Sequence, residues 1–191
     1  MTTENTSTWK RFSLEVNGKF IEQESWHSEK VLIEFEKWVI TFDHYTAYTT
    51  VLSHAASKKY IRVTVPVFSQ DGFRFEIYRQ DLLSYIGKIV GARDVKIGDG
   101  KFDKNFVIKT NDVTQLNLFL NTGITDLISK QTNINVHISD QQGIWEAKLP
   151  PQEPELSFYA EGKIDNVETL KSILLLFQEM LKQLKRLKSI A

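Results

Sequence analysis

The sequence predicts an α+β fold: a curved antiparallel β-sheet packed by a long C-terminal α-helix and several short helices. Two patterns carry this prediction. Val31, Ile33 and Phe35, and then Trp38, Ile40 and Phe42, recur at every second residue around a tight break near Lys37, as in paired antiparallel strands with one buried face. From Asp165 to Ile190 the period changes. Leu170, Ile173, Leu174, Phe177, Leu181 and Leu184 follow at steps of three and four, which places them on one face of a helix. Such a helix is roughly 37 Å long and needs a broad apolar surface to lie on. A single domain over 9–191 is expected, since no repeat or linker divides the chain.

Residues 1–8 are expected to be a disordered tail. Trp9, Phe12 and Val16 fit helical spacing, whereas Phe12, Leu14 and Val16 fit a strand; a helix capped by Ser7 or Thr8 and stopped at Asn17-Gly18 is preferred. Tyr45 to Lys59, rich in Thr, Ser and Ala, has weak periodicity and reads as a long loop, with the alternative that part of it extends a strand. Tyr60 to Phe68 is a strand that Pro66 marks as an edge or an end. Gln70-Asp71-Gly72 reads as a hairpin turn, after which Phe73, Phe75 and Ile77 point inward and Arg74, Glu76 and Tyr78 outward. Asp81 to Gly91 is a short helix, and Asp94 to Gly100 a strand end with a glycine-rich turn. Phe106 to Lys109 is a strand. Helices follow, one capped by Asn111 or Asp112 and one starting at Thr122 or Thr125. Ile134, Val136 and Ile138 make a strand, as do Trp145, Ala147 and Leu149 after a turn at Gln141-Gln142-Gly143. Leu156, Phe158 and Ala160 form the last strand. Asp165 with Glu168 has the spacing of a capping box for the long helix.

Composition narrows the function. Lys and Arg together number 24, the same as Asp and Glu, so no cationic excess exists to neutralise phosphates, and nucleic acid is not expected as a partner. Cysteine is absent, which removes disulfides, thiol nucleophiles and thiolate metal sites. The first residues lack the apolar core of a signal peptide, and no apolar run is long enough to insert in a membrane. A cytoplasmic location is therefore expected.

Chemistry-bearing motifs are sparse. His27, His44, His54 and His137 are scattered, without HExxH or an i, i+4 partner. His44 and His54 flank the expected loop and would approach each other if it doubled back; with Asp43 they are the one constellation that could serve an enzyme. Gly98-Asp99-Gly100 lacks the rest of a dinucleotide or phosphate loop. Asp99 and Asp103 lack the remaining ligands of a calcium loop. Glu34 and Glu36 share a strand face, which a solvated sheet explains. No metal site or cofactor is expected. Tyr45 and Tyr48 are candidates for a contact surface, because tyrosine favours interfaces.

Phe73-Arg74-Phe75-Glu76-Ile77-Tyr78, Ile97-Gly98-Asp99, Phe102-Asp103-Lys104-Asn105-Phe106 and Trp38-Val39-Ile40-Thr41-Phe42-Asp43 form a pattern that resembles a family of small uncharacterised bacterial proteins, over nearly the whole chain. The stretch from Phe102 to Phe106, with the Asp-capped helix after it, is also similar to a wider bacterial domain of unknown function. The resemblance implies a soluble bacterial protein and carries over no functional residue. The favoured expectation is a non-enzymatic binding or protein-interaction module, with a protein partner or a homodimer. Its candidate ligand-binding residues are His44, Tyr45, Tyr48 and His54. The alternative is a helix-grip-like carrier of a small apolar ligand, and an enzyme of hydrolase type is the least favoured.

Overall fold

The long apolar stripe of the C-terminal helix dictates the layout. In the computed structural model, which describes residues 7–22, 28–51, 54–79, 93–140, 149–150 and 152–191, this helix is α5, Val167–Arg186. Leu170, Ile173, Phe177, Met180, Leu181 and Leu184 are buried along it. They share one core with Ile61, Val63, Val65, Val136, Ile138, Leu156 and Phe158 of the sheet. The helix is shorter than the sequence suggests. Asn166, not Asp165, is its N-cap and accepts from the N–H groups of Glu168 and Thr169. At the other end Lys188 adopts φ 59°, which turns the chain out of the helix. Ile190 then bridges to Ser69, so the last residues join the sheet side.

Among the described residues the sheet has nine strands, β1 Lys19–Ile21, β2 Lys30–Phe35, β3 Trp38–Val51, β4 His54–Pro66, β5 Phe75–Arg79, β6 Arg93–Val95, β7 Phe106–Thr110, β8 Ile134–Ser139 and β9 Glu155–Glu161. Their spatial order is β1-β2-β3-β4-β9-β8-β5-β7-β6. Every pairing is antiparallel, and the sheet is curved, as expected. Four short helices accompany it: α1 Thr8–Glu15, α2 Gly100–Asn105, α3 Val113–Phe119 and α4 Thr122–Ser129. Ser7 caps α1, so Ser7 and Thr8 belong to the helix rather than to the expected tail. Asp112 and Asn121 cap α3 and α4. Asn17, at φ 54°, ends the turn after α1 and delivers Gly18 against β2, where a Cβ would stand 3.0 Å from the side chains of Val31 and Ile33.

Several expectations need correction. Tyr45 to Lys59 is not a loop. β3 and β4 pair without interruption from Thr41↔Thr64 to Val51↔His54, and the turn residues 52–53 lie outside the described residues. Thr, Tyr and Val suit a pleated ladder, but the stretch lacks the apolar alternation that announces a strand. Gln70-Asp71-Gly72 turns the chain, with Gly72 at φ 72°, yet closes no hairpin, since β9 and β8 stand between β4 and β5. α2 replaces part of the expected glycine-rich turn, because Asp99 caps it. Glu36 sits in the two-residue turn between β2 and β3 at φ 52°, off the strand that carries Glu34, and forms an ion pair with Lys185. The helix expected over Asp81–Gly91 and all but the last residue of the strand expected over Trp145–Leu149 lie outside the described residues, as does His27.

Glu76 and Tyr78 are buried, not outward-facing. All six residues of β8 are buried, and so are six of the seven in β9. Alternation separates inside from outside only where a sheet has one covered face, and here both faces of the central strands are covered.

Candidate functional site: the root of a two-stranded arm

β2 pairs with β3 only as far as Lys30↔Asp43, and β9 pairs with β4 only as far as Tyr60↔Glu161. β3 runs on to Val51 and β4 begins at His54, so these two strands extend beyond their neighbours as an arm. Past these pairs lie residues 44–51 of β3 and 54–59 of β4, about 20 Å for the shorter run at 3.3–3.4 Å per residue. At the root of the arm is an open cleft of about 660 Å³. Lys30 and Glu29 at the start of β2, Tyr45 and Tyr48 of β3, Lys59 and Arg62 of β4, and Lys163 beyond β9 contribute to its walls.

The cleft brings together His44, Tyr45 and Tyr48. His54 is elsewhere. Its backbone pairs with Val51, seven residues along β3 from His44, about 23 Å at 3.3–3.4 Å per residue. Asp43 and His44 are adjacent on a strand and project to opposite faces. The constellation that could have served an enzyme therefore does not assemble. His44 instead packs against Trp9 of α1, the rings tilted by 44° at 4.5 Å between centroids, with Nε2 3.5 Å from Glu29 Oε1. Lys59, Lys163, Lys30 and Arg62 escaped the sequence reading, because strand pairing alone joins them.

The floor is rigid. Arg62 donates from Nε and Nη2 to the two carboxylate oxygens of Asp43, at 2.8 and 2.6 Å, across the β3–β4 register. Burial works against the guanidinium charge, but Asp43 outweighs it and raises the Arg62 pKa. Arg62 also lies 4.9 Å above the Tyr45 ring. Tyr45, Tyr60 and Tyr159 pack together at 5.6–6.4 Å between centroids. By contrast Lys30, Lys59 and Lys163 have no ion pair among the described residues.

From this floor two polar rows cross the second face. One follows the pairings Asp43↔Arg62, Arg62↔Tyr159, Tyr159↔Asn135 and Asn135↔Tyr78. The next follows Thr64↔Ser157, Ser157↔His137, His137↔Glu76 and Glu76↔Lys109. Asn135 Nδ2 donates to Glu76 Oε1 at 2.7 Å, and Asn135 Oδ1 meets His137 Nδ1 at 3.0 Å. His137 is 1% exposed and Tyr159 2%, their rings parallel at 5.8 Å. Burial pushes the Tyr159 pKa up, and the Arg62 charge opposes it. Both rows are enclosed, with Glu76, Asn135, His137, Ser157 and Tyr159 all buried.

Burial lowers the His137 pKa from 6.5 to about 3. The unfolded chain then takes up the proton first as pH falls. The stability His137 lends is complete above 6.5 and is lost toward 3, at about 1.4 kcal/mol per pH unit. Urea unfolding at pH 7 and 4.5 checks this. The wild type loses about 2–3 kcal/mol more than His137→Gln over that interval. Equal losses would place the imidazole in contact with solvent.

Asp99 accepts from the amides of Lys101 and Phe102, and Asp103 from those of Ile97 and Gly98. Both carboxylates thus hold backbone turns. Among the described residues no three His, Asp or Glu side chains converge as metal ligands. No described helix is long and apolar enough to cross a membrane.

A solved structure shares the fold. It is the crystal structure of the mycobacterial trehalose monomycolate transport factor A, TtfA, with a TM-score of 0.57 and 6% sequence identity, over 93% of this chain and 92% of that chain. At that identity the likeness concerns the fold alone. No protein-family model matches the chain, and no curated protein matches it in sequence.

Proposed function

We propose that the chain is a non-enzymatic binding module that takes an anionic ligand in the cleft at the root of the β3–β4 arm. The observation that carries this reading is the lining of the open cleft, to which Lys30, Lys59 and Lys163, none of them in an ion pair among the described residues, contribute together with Tyr45 and Tyr48. Tyrosine offers a flat apolar face and a polar tip, and lysine a mobile point charge, a pairing suited to recognition. A fold shared with a transport factor accords with an auxiliary role rather than a catalytic one.

The helix-grip carrier of an apolar ligand has less support. Its cavity would lie beneath the middle of α5. There Leu174 and Phe177 are buried, and the Phe177 ring meets Phe158 edge-to-face at 6.4 Å. The cleft has no residue of α5 in its walls.

Native mass spectrometry of the chain purified from its own cells tests the proposal. The wild type is expected to carry a bound mass that Lys59→Glu/Lys163→Glu lacks. Bare protein in both preparations, or the same adduct on both, would overturn it.

A further inference from the structure

The chain leaves α5 through a turn that glycine usually makes. The Lys188 N–H donates to the Lys185 carbonyl and the Ser189 N–H to the Leu184 carbonyl, both at 3.0 Å. This pair of bonds ends a helix when the residue after it is left-handed. That residue is Lys188, at φ 59°. A side chain disfavours this conformation, so the turn is strained and has to be held by contacts made further along.

The contacts that hold it are strand pairing within the chain. Past Pro66 the Val67 and Ser69 N–H groups donate to the carbonyls of Pro154 and Gln152, at 3.0 and 2.9 Å. The opposite edge of the same stretch meets the residues after α5. The Gln70 N–H donates to the Ser189 carbonyl at 2.9 Å and the Ala191 N–H to the Phe68 carbonyl at 3.0 Å, around the antiparallel bridge Ser69↔Ile190. β3 begins only at Trp38 and pairs with β4 as far as Thr41↔Thr64, so residues 189–191 line an edge that β3 does not reach. Ile190 is buried in the main core. Gln115 Nε2 of α3 donates to Ser189 Oγ, and Gln183 Nε2 of α5 to the Leu118 carbonyl, which ties this end of the molecule to α3.

We infer that residues 188–191 form a strap that closes the end of α5 onto the sheet, and that the strap opens with the last turn of the helix as one unit, ahead of the rest of the fold. Burial of Ile190 and two backbone bonds favour closure, and the left-handed Lys188 favours opening. A segment held by so few contacts opens at a lower free energy than the central strands. Opening uncovers Ile190 and Leu184, which are enclosed when the strap is shut. No residue of the strap lines the cleft at the root of the arm, so the device stands or falls separately from the proposed binding function.

Amide hydrogen exchange of the full chain, followed by NMR, tests this. Gln70, Leu187 and Ser189 are expected to share one degree of protection, at least about tenfold below that of Ser69. Ser69 and Gln70 are neighbours, but only the Gln70 N–H is bonded to the strap. Ile190→Ala should lower the shared protection by about tenfold or more, because it removes the buried anchor. Lys188→Gly, which relieves the strained turn, should raise it about threefold. The order of protection in the wild type requires no variant, so it decides the matter even if Ile190→Ala fails to fold.

Equal protection at Ser69 and Gln70 overturns the inference, since the strap then opens only with the fold. Unequal protection among Gln70, Leu187 and Ser189 also overturns it, because the end then frays residue by residue. So does a Lys188→Gly variant in which Gln70 exchanges as in the wild type.

Discussion

Phe177→Ala is expected to lower the stability of the fold by about 3–5 kcal/mol, the usual range for emptying an aromatic site in a core. Phe177 has no exposed surface, stands in the middle of α5 and packs edge-to-face on Phe158 of β9. Its loss opens a cavity between the helix and the central strands. In a chain of 191 residues this corresponds to a fall in Tm of roughly 6–20 °C. Leu175 on the same helix is 46% exposed, and Leu175→Ala should stay within about 1 kcal/mol. Urea melts of the two variants separate the faces of α5. A cost under about 1 kcal/mol for Phe177→Ala would mean that the core beneath the helix is already loose, and a carrier cavity would then return to consideration.

Arg62→Met should be the next most damaging, at about 2–4 kcal/mol. The Asp43–Arg62 pair is mostly enclosed, and both guanidinium contacts are directed to one carboxylate. Removing the cation leaves the mostly enclosed Asp43 without its counter-charge. Arg62→Lys should recover only part of the loss, since an ammonium cannot reproduce two parallel bonds or the stacking on Tyr45. A double-mutant cycle with Asp43→Asn should give a coupling above about 1 kcal/mol. Additive effects would show that the pair is a surface interaction of little weight.

What was legible in the sequence follows from the physics of each element. α5 could be read because twenty residues with one apolar stripe leave few alternatives, and the β2–β3 hairpin because buried Ile33 and Ile40 alternate with less buried neighbours. The β3–β4 arm escaped because its stability comes from register and backbone pairing, and Thr46, Thr49, Ala55 and Ser57 give no hydrophobic contrast. Glu76 and His137 escaped because a polar residue reads as outward unless the second face of the sheet is known to be covered. The cleft was half visible. Tyr45 and Tyr48 stood out by residue type, while Lys59 and Lys163, far apart in the chain, meet only through the pairing of β4 with β9.

The position of α5 in the order of synthesis has its own consequence. Every strand leaves the ribosome before the helix that covers it, and at 5–20 residues per second the sheet waits on the order of seconds for its cover. During that interval Ile61, Val63, Leu156 and Phe158 stand on a bare apolar face. On the ribosome this face stays uncovered until Leu184 has emerged, so the sheet completes its core only after α5 has been made.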